Sequence, residues 1–559
     1  MFKLSVNSER LVANLRYAFT DHVVLIAELM QNARRAGASK VIIDFDSTLH
    51  TLTVTDNGCG ISDFKSLFTV AESGWDDSIK QSENPFGMGF FSALFAADEV
   101  AVFSFDKFVC FRTKDVLAFE NIVVETIEPS ERPLNGSKVC LYGIYLKSYD
   151  VERAIAKYAK GFPIEVIFNN KVIDRPHAIS DSFIDSSVGK LSLGKSSRIE
   201  CYLQGLPVLN VMYGPRLFES LESNVIHLDA TFKGKMPDRS SLYDESTSTC
   251  RVKDVVRDFW EAKLIELKSQ LSGKLSVKNF AEQYWEIAES FDLLSLFNDV
   301  YYIPSCILQE MVDTPIINNW YYTHSFLTKR NSGLHLDELK SGSTVIFYGL
   351  PDSSDDPHLH WAAATMAKEL KWAYIGSHLI PNGHWLFDYL VNLLTLDVKV
   401  NFKPIAESYM DGMGVSVGIT LCENYSLKSK DHEVLISNQS VCLNDHTLLI
   451  PSRTTGDDDC LRQINCYVYN DEFDEHSYDH DIRLLSLLIN AERTKLKGGN
   501  QVNTFNEVLC SGNVHTFSSL KDSIFIVQLD DKLQRKTTQI APKHFDRLNQ
   551  FLESLTSEN

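Results

Sequence analysis

Between residues 22 and 60 the chain reads HVVLIAELMQNARRAG, ASKVIIDFD and, after a short polar turn, TLTVTDNGCG. Val24, Ile26, Ala27, Met30 and Ala33 recur near helical spacing, Asp21 stands at an N-cap position, and Gly37 closes the run. A helix stopped by glycine and followed at once by two strand-like stretches predicts a mixed α/β region. The mixture continues through residue 145. Ser8 is placed to cap a helix ERLVANL. ISDFKSLFTVAESG and FGMGFFSALFAAD read as helices, and VAVFSFDKFVCFRTK, FENIVVETIEP and GSKVCLYGIYL read as strand-rich.

The full chain of 559 residues exceeds what one hydrophobic core supports. Three regions are expected, 1–148, 149–300 and 301–559. In the second, YDVERAIAKYAKGF is helical, PIEVIFNNKVI is strand–turn–strand, RIECYLQGLPVLN is hairpin-like, and residues 250–300 are largely helical. In the third, STVIFYGL, PHLHWAAATMAKELK and WAYIGSHL read strand–helix–strand, and the helix IRLLSLLINAERTKLK is stopped by Gly498 and Gly499. The fold class expected for the whole chain is mixed α/β.

Hydrophobic residues make up 44% and charged residues 23%, which excludes disordered and collagen-like chains. Lys plus Arg number 54 against 74 Asp plus Glu, a net charge of −20. That excess of acid argues against wrapping nucleic acid through bulk basic surface, while leaving room for a local basic groove. The 11 cysteines form no CxxC pair, so reduced thiols are expected and a zinc ribbon is not. MFKLSVNSER holds no apolar core of a secretory signal, and no apolar run approaches the ~20 residues of a membrane span. These features together predict a cytoplasmic protein without a membrane partner.

Four short motifs carry chemistry. In ELMQNARRAGA, Glu28 and Asn32 lie one helical turn apart, suited to polarising water and to ligating Mg2+, or equally to a solvated helix face. Asp56 ends a strand before Asn57-Gly58-Cys59-Gly60. Its carboxylate can meet a flat base edge while Gly58 and Gly60 let the backbone approach; alone, the motif is a turn. Gly87, Met88 and Gly89 open a helix at Phe90, the arrangement of a phosphate site. Asn135-Gly136-Ser137-Lys138 leads into a strand, and the Ser137 hydroxyl could join the hydrogen bonds on the base side; alone, the motif is a turn.

In order and spacing, these motifs resemble the GHKL superfamily of ATPases, which includes Hsp90, the gyrase B subunit, MutL, MORC proteins, sensor histidine kinases and sacsin-type modules. LFTVAESGWDD followed by NPFGMGFFSALFAADEV is most similar to Hsp90, and ELMQNARRAGASKV to sacsin and MutL. The resemblance covers residues 1–145, continues more loosely over 150–245, and is not found beyond about residue 300. It implies a Bergerat-fold α/β sandwich binding ATP and Mg2+, a transducer-like α/β middle domain, and a divergent mixed α/β C-terminal region.

By the same resemblance Glu28 would be the general base, and Asn32 would ligate Mg2+ bridging the phosphates. Asp56 would accept from the adenine amino group with Gly58 and Gly60 beside the base. Gly87, Met88, Gly89 and Phe90 would hold the phosphates, and Ser137 would stand for the family's threonine. Histidine kinases of the superfamily lack the carboxylate that Glu28 supplies. The transducer usually lends a cation to the γ-phosphate; Lys233, Lys235 and Arg239 in TFKGKMPDRSSL are the candidates, or else the stretch is an exposed basic loop.

Two departures stand out. Arg35 occupies the place of a family aspartate, so Arg34 and Arg35 contact phosphate, a lid, another chain or solvent. The polar segment between Gly74 and Gly87 is shorter than the Hsp90 lid. The function so implied is a slow conformational-switch ATPase, a homodimer acting on a protein client. The rivals are a MutL- or MORC-like clamp on nucleic acid, which the charge disfavours, and a nucleotide-gated scaffold with weak catalysis. The pairs His358/His360 and His476/His480 lack a full set of metal ligands and read as surface features.

Overall fold

The computed structural model describes residues 7–15, 23–69, 75, 79, 83, 89–126, 136–213, 222–236, 239–312, 327–350, 361–412, 415–464, 475–509, 520–532 and 534–556. They form two compact units, one of residues 1–269 with 286–293 and one of residues 270–285 with 294–559.

The first unit begins with helix α1 (Ser8–Leu15). Its cap is Asn7 rather than the expected Ser8: the Asn7 Oδ1 accepts from the Arg10 amide at 2.9 Å, the reach a short side chain has to the third helical N–H. Helix α2 (Val24–Arg35) buries Val24 to Gln31 and Ala33, and ends before Gly37 at φ 68°. Asp21, expected as its cap, lies outside the described residues.

An eight-stranded sheet lies against α2, built from β1 (Lys40–Asp46), β2 (Thr51–Asp56), β3 (Glu99–Ser104), β4 (Lys107–Arg112), β5 (Glu125–Thr126), β6 (Ser137–Tyr142), β7 (Glu165–Phe168) and β8 (Lys171–Val172), in the order β5-β4-β3-β6-β2-β1-β7-β8. All pairs are antiparallel except β1 with β7, where Lys40 faces Glu165 and Ile43 faces Phe168. Helix α3 (Phe91–Ala96) and helix α4 (Ser148–Ala159) pack against α2. The core thus joins Leu25 and Met30 to Ile43, Leu52 and Leu141, and runs on into Val151, Ile155 and Val166. The sheet therefore extends past residue 148, because α4 and β7 bury their apolar faces in the same core.

The second sheet of this unit holds β9 (Ile184–Ser186), β10 (Gly189–Ser192), β11 (Arg198–Leu203), β12 (Leu206–Met212) and β13 (Asn224–Leu228), in the order β12-β11-β13-β10-β9. Gln204 and Gly205, at φ 55° and 85°, make the two-residue turn between β11 and β12. The long helix Glu245–Ser269 buries Val252, Val256, Trp260 and Leu264, a stripe of every fourth residue. The Trp260 indole donates to the buried Asn224 Oδ1 at 3.0 Å.

In the second unit, strands Ile346–Tyr348 and Ala373–Tyr374 pair in parallel on either side of helix Trp361–Glu369 in sequence. Strands Lys399–Gly412 and Val415–Lys428 form a long antiparallel hairpin. Val415–Lys428 feeds two cores. Val417, Ile419 and Leu421 join Leu485, Leu488 and Ile489 of helix Glu475–Leu496, while Cys422, Tyr425 and Leu427 join Ala363 and Met366 of helix Trp361–Glu369. Among the described residues no helix is long and apolar enough to cross a membrane.

Candidate functional site

The β2–β6 register sets Asp56 directly across from Ser137, and the β3–β6 register sets Ser137 across from Ser104. Asp56 is buried, and both its carboxylate oxygens are engaged. Oδ1 accepts from the Gly58 amide at 2.8 Å, and Oδ2 accepts from the Ser137 hydroxyl. Two further bonds fix the loop after Asp56. The Asn57 Oδ1 accepts from the Ser39 and Lys40 amides at 2.9 and 3.1 Å, and the Cys59 amide donates to the Ala36 carbonyl at 2.8 Å. Gly60 sits at φ 74° against Ser104 and Phe105, where a side chain would be strained and would collide. The Asp56 motif is thereby tied to the end of α2.

Glu28 is buried on α2, and Asn32, one turn on, is half-buried. The Gly89 backbone packs so closely that a Cβ there would overlap the Glu28 Oε2. This clearance is available only to glycine and brings the start of α3 to the Glu28 carboxylate. Phe90 is buried at that helix start. Gly87 and Met88 lie outside the described residues.

Of the three cations considered from TFKGKMPDRSSL, the structure turns one inward. Lys233 and Lys235 are exposed; their backbone groups shape the loop through Tyr243 N–H to Lys233 O at 2.9 Å and Arg239 N–H to Lys235 O at 2.9 Å. Arg239 is buried, and its Nη1 donates to the Gln204 Oε1 at 3.0 Å. Burial above all, and then the nearby Arg35, depress the Arg239 guanidinium to about 10, against the opposing pull of Glu28 and Glu83. Arg239 thus lies within electrostatic reach of α2.

A polar relay links the two sheets. The Gln31 Nε2 donates to the Gln204 carbonyl at 2.9 Å, and its Oε1 accepts from the Arg34 Nε at 2.8 Å. Arg34 Nη2 donates to both Glu83 oxygens at 2.7 Å, and Arg35 Nε donates to the Glu83 Oε2 at 2.8 Å. Burial works against the charged form of Glu83, but the hydrogen bonds from Arg34 and Arg35 outweigh it and hold the carboxyl below its usual range. The Arg35 Nη2 is buried and has no hydrogen-bond partner among the described residues.

Gln31, Asn57, Glu83 and Gln204 were not singled out from the sequence. The available signals were the position of Gln31 beside Glu28 and Asn32 on one helix, and the Gln204-Gly205 turn. His358 and His360 lie outside the described residues, as does the His476 side chain, and His480 is exposed. Among the described residues no group of three or more His, Cys, Asp or Glu is placed to hold a metal ion.

Fold and residue order define the class. Residues 20–134 match the family described as histidine kinase-, DNA gyrase B-, and HSP90-like ATPase, and the N-terminal region is a GHKL-type ATPase domain. Among curated relatives, this chain is similar to proteins named chaperone protein HtpG. It is 29% identical to that of Verminephrobacter eiseniae over 24% of this chain and 23% of the relative. It is 32% identical to that of Actinobacillus succinogenes over 23% and 24%, and 21% identical to that of Porphyromonas gingivalis over 31% and 30%. The matches thus span 23% to 30% of the relatives' length.

Proposed function

We propose that the chain binds Mg·ATP at the Asp56–Glu28 site and hydrolyses it slowly, using the nucleotide state to switch conformation on a protein client. The observation that carries this reading is the convergence on α2 of a buried carboxylate, the closely packed Gly89 and a buried arginine that follows the second sheet. Asp56 would accept from the adenine amino group, with Gly58 and Gly60 keeping the base side clear and Ser137 orienting the carboxylate. Glu28 would take the proton of the attacking water. Arg239 would meet the charge that develops on the terminal phosphate. Of the three cations it is the one that burial and Gln204 hold in place.

Magnesium would be held by Asn32 and the phosphates, and would supply neutralisation of phosphate charge. The donors present suit such a group, a half-buried carboxamide on Asn32 one turn from the buried Glu28 carboxylate. Because Arg239 follows β13 of the second sheet while Glu28 sits on α2, catalysis is coupled to how the two sheets lie together. That coupling, and the relatives' name, support a chaperone-like role, exercised in the cytoplasm as a homodimer. Calorimetric titration of ATP into wild type and Asp56→Asn tests the reading. Asp56→Asn is expected to lose about a hundredfold or more in affinity, since it unpairs a buried charge-assisted contact. Equal affinities would remove the adenine assignment.

A further inference from the structure

One sheet of the second unit ends in a long strand with an open edge. Strand Lys399–Gly412 pairs with Val415–Lys428 along its length, and Thr447–Pro451 and Glu433–Ile436 take the far side of Val415–Lys428. The other edge of Lys399–Gly412 has no neighbour among the described residues. Side chains alternate across a strand, and Val400, Ala406 and Met410 turn inward, Val400 to the core of Ala363 and Met366, Ala406 and Met410 to that of Leu485 and Ile489. The intervening residues are exposed, among them Lys399, Lys403, Glu407 and Asp411. Ile405 is 58% exposed and Tyr409 61%. An open edge with apolar side chains left in solvent is a template for another strand.

We propose that this edge pairs with the same edge of a second copy of the chain, antiparallel, about a two-fold axis at Ile405. The inference rests on the homodimer reading above and names its surface; it does not draw on the nucleotide site. The exposed charges carry it. Lys399 and Lys403 precede Ile405, and Glu407 and Asp411 follow it at matching distances. An antiparallel pair centred on Ile405 sets Lys403 opposite the partner's Glu407 and Lys399 opposite the partner's Asp411, and the two-fold repeats both ion pairs. Slipping one strand by two residues sets Lys403 opposite Ile405 or Tyr409 and leaves neither pair, so the charges fix the register. Within its own chain none of the four has an ion-pair partner among the described residues. Asp411 accepts from the Ser416 hydroxyl, which leaves its charge in place. Two chains of net charge −20 repel, but this strand, with two bases and two acids, is neutral and lets them approach. Its own pairing is irregular between Phe402 and Ala406, and Pro404 has no N–H to give. That interruption falls on the axis. The ladders would form to either side of it, 399–402 of each copy against 408–411 of the other.

Sedimentation equilibrium of the full chain, 63.3 kDa as a monomer, tests the assignment. Wild type is expected at twice that mass. Lys403→Glu, which sets carboxylate against carboxylate on both sides of the axis, is expected to weaken the dimer about a hundredfold, and Glu407→Lys to do the same with two cations. Mixed in equal amounts, the two variants are expected to dimerise again with close to wild-type affinity, because each presents the charge that the other lacks. Should either variant fail to fold alone, the chain carrying Lys403→Glu and Glu407→Lys together decides, since its charges match again: a dimer supports the interface and a monomer overturns it. Wild type that stays monomeric overturns the homodimer reading and this proposal together, and makes Pro404 the guard of a free edge. A dimer indifferent to both reversals, or a mixture that stays monomeric, overturns this interface alone.

Discussion

In the first unit the buried side chains Glu28, Gln31 and Arg239 converge on one helix; in the second, Gln463, Arg493 and His384 each serve a local stretch of backbone. Gln463 accepts from the Leu443 amide at 2.6 Å and donates to the Val441 carbonyl at 2.9 Å, pinning a strand to its neighbouring helix. Arg493 donates to the Gly456 carbonyl at 2.8 Å and to that of Thr454, closing a loop. Among the described residues, unpartnered buried atoms occur in both units, at Arg35 Nη2 and at His384 Nε2. The second unit also holds Arg493 Nε, likewise without a partner among the described residues and beside Lys497. In the second unit the buried groups end on nearby backbone, whereas in the first they tie α2 to Gln204 and Glu83, far along the chain.

The strongest test of that contrast is Glu28→Ala. Phosphate release is expected to fall about a thousandfold, about 4 kcal/mol of barrier, with ATP still bound. Unchanged release would remove the general-base role and much of the contrast. His384 gives the counterpart in the second unit. Burial lowers its imidazole from 6.5 to about 4, while its Nδ1 accepts from the Leu386 amide at 3.1 Å.

Because the folded form holds the proton less readily than the unfolded chain, the contribution is full above pH 6.5 and is lost as pH falls toward 4. Denaturant unfolding at pH 7 and pH 4.5 is expected to show this unit losing on the order of 2–3 kcal/mol, and His384→Gln to reduce the loss; a pH-independent midpoint would contradict it. Gln463→Leu should cost about 2 kcal/mol of stability by orphaning two backbone groups, with nucleotide affinity unmoved in the same preparation. Gln204→Asn, which retains the positive-φ turn but shortens the reach to Arg239, should slow phosphate release only about fivefold, close to 1 kcal/mol, without altering ATP affinity.

Local signals made much of the first unit legible. The apolar spacing and Gly37 marked α2, and Asp56, Gly58, Gly60 and Ser137 were found as motifs before the β2–β6 register set Asp56 beside Ser137. The strand–helix–strand run of the second unit was legible for the same reason, each piece being defined by its own short stretch. What escaped depended on distance along the chain. Nothing in TFKGKMPDRSSL separates Arg239 from Lys233 and Lys235; burial beside Gln204 does. Glu83 is one acidic residue in a polar segment until two arginines close on it. The parallel pairing of β7 with β1 has no local signature, so residue 148 read as an end although the sheet continues beyond it.

That pairing also bears on how the protein comes to be made. During synthesis β1 emerges long before β7, and until residue 168 has left the ribosome the strand carrying Val41 and Ile43 has an open edge. Sheet completion must wait for a contact far along the chain, the slow kind of closure, during which exposed edges invite association between nascent chains. A fragment cut at residue 148 would keep that exposure permanently. It should aggregate even with every proposed adenine contact intact, whereas a fragment reaching past Val172 would carry its own cover.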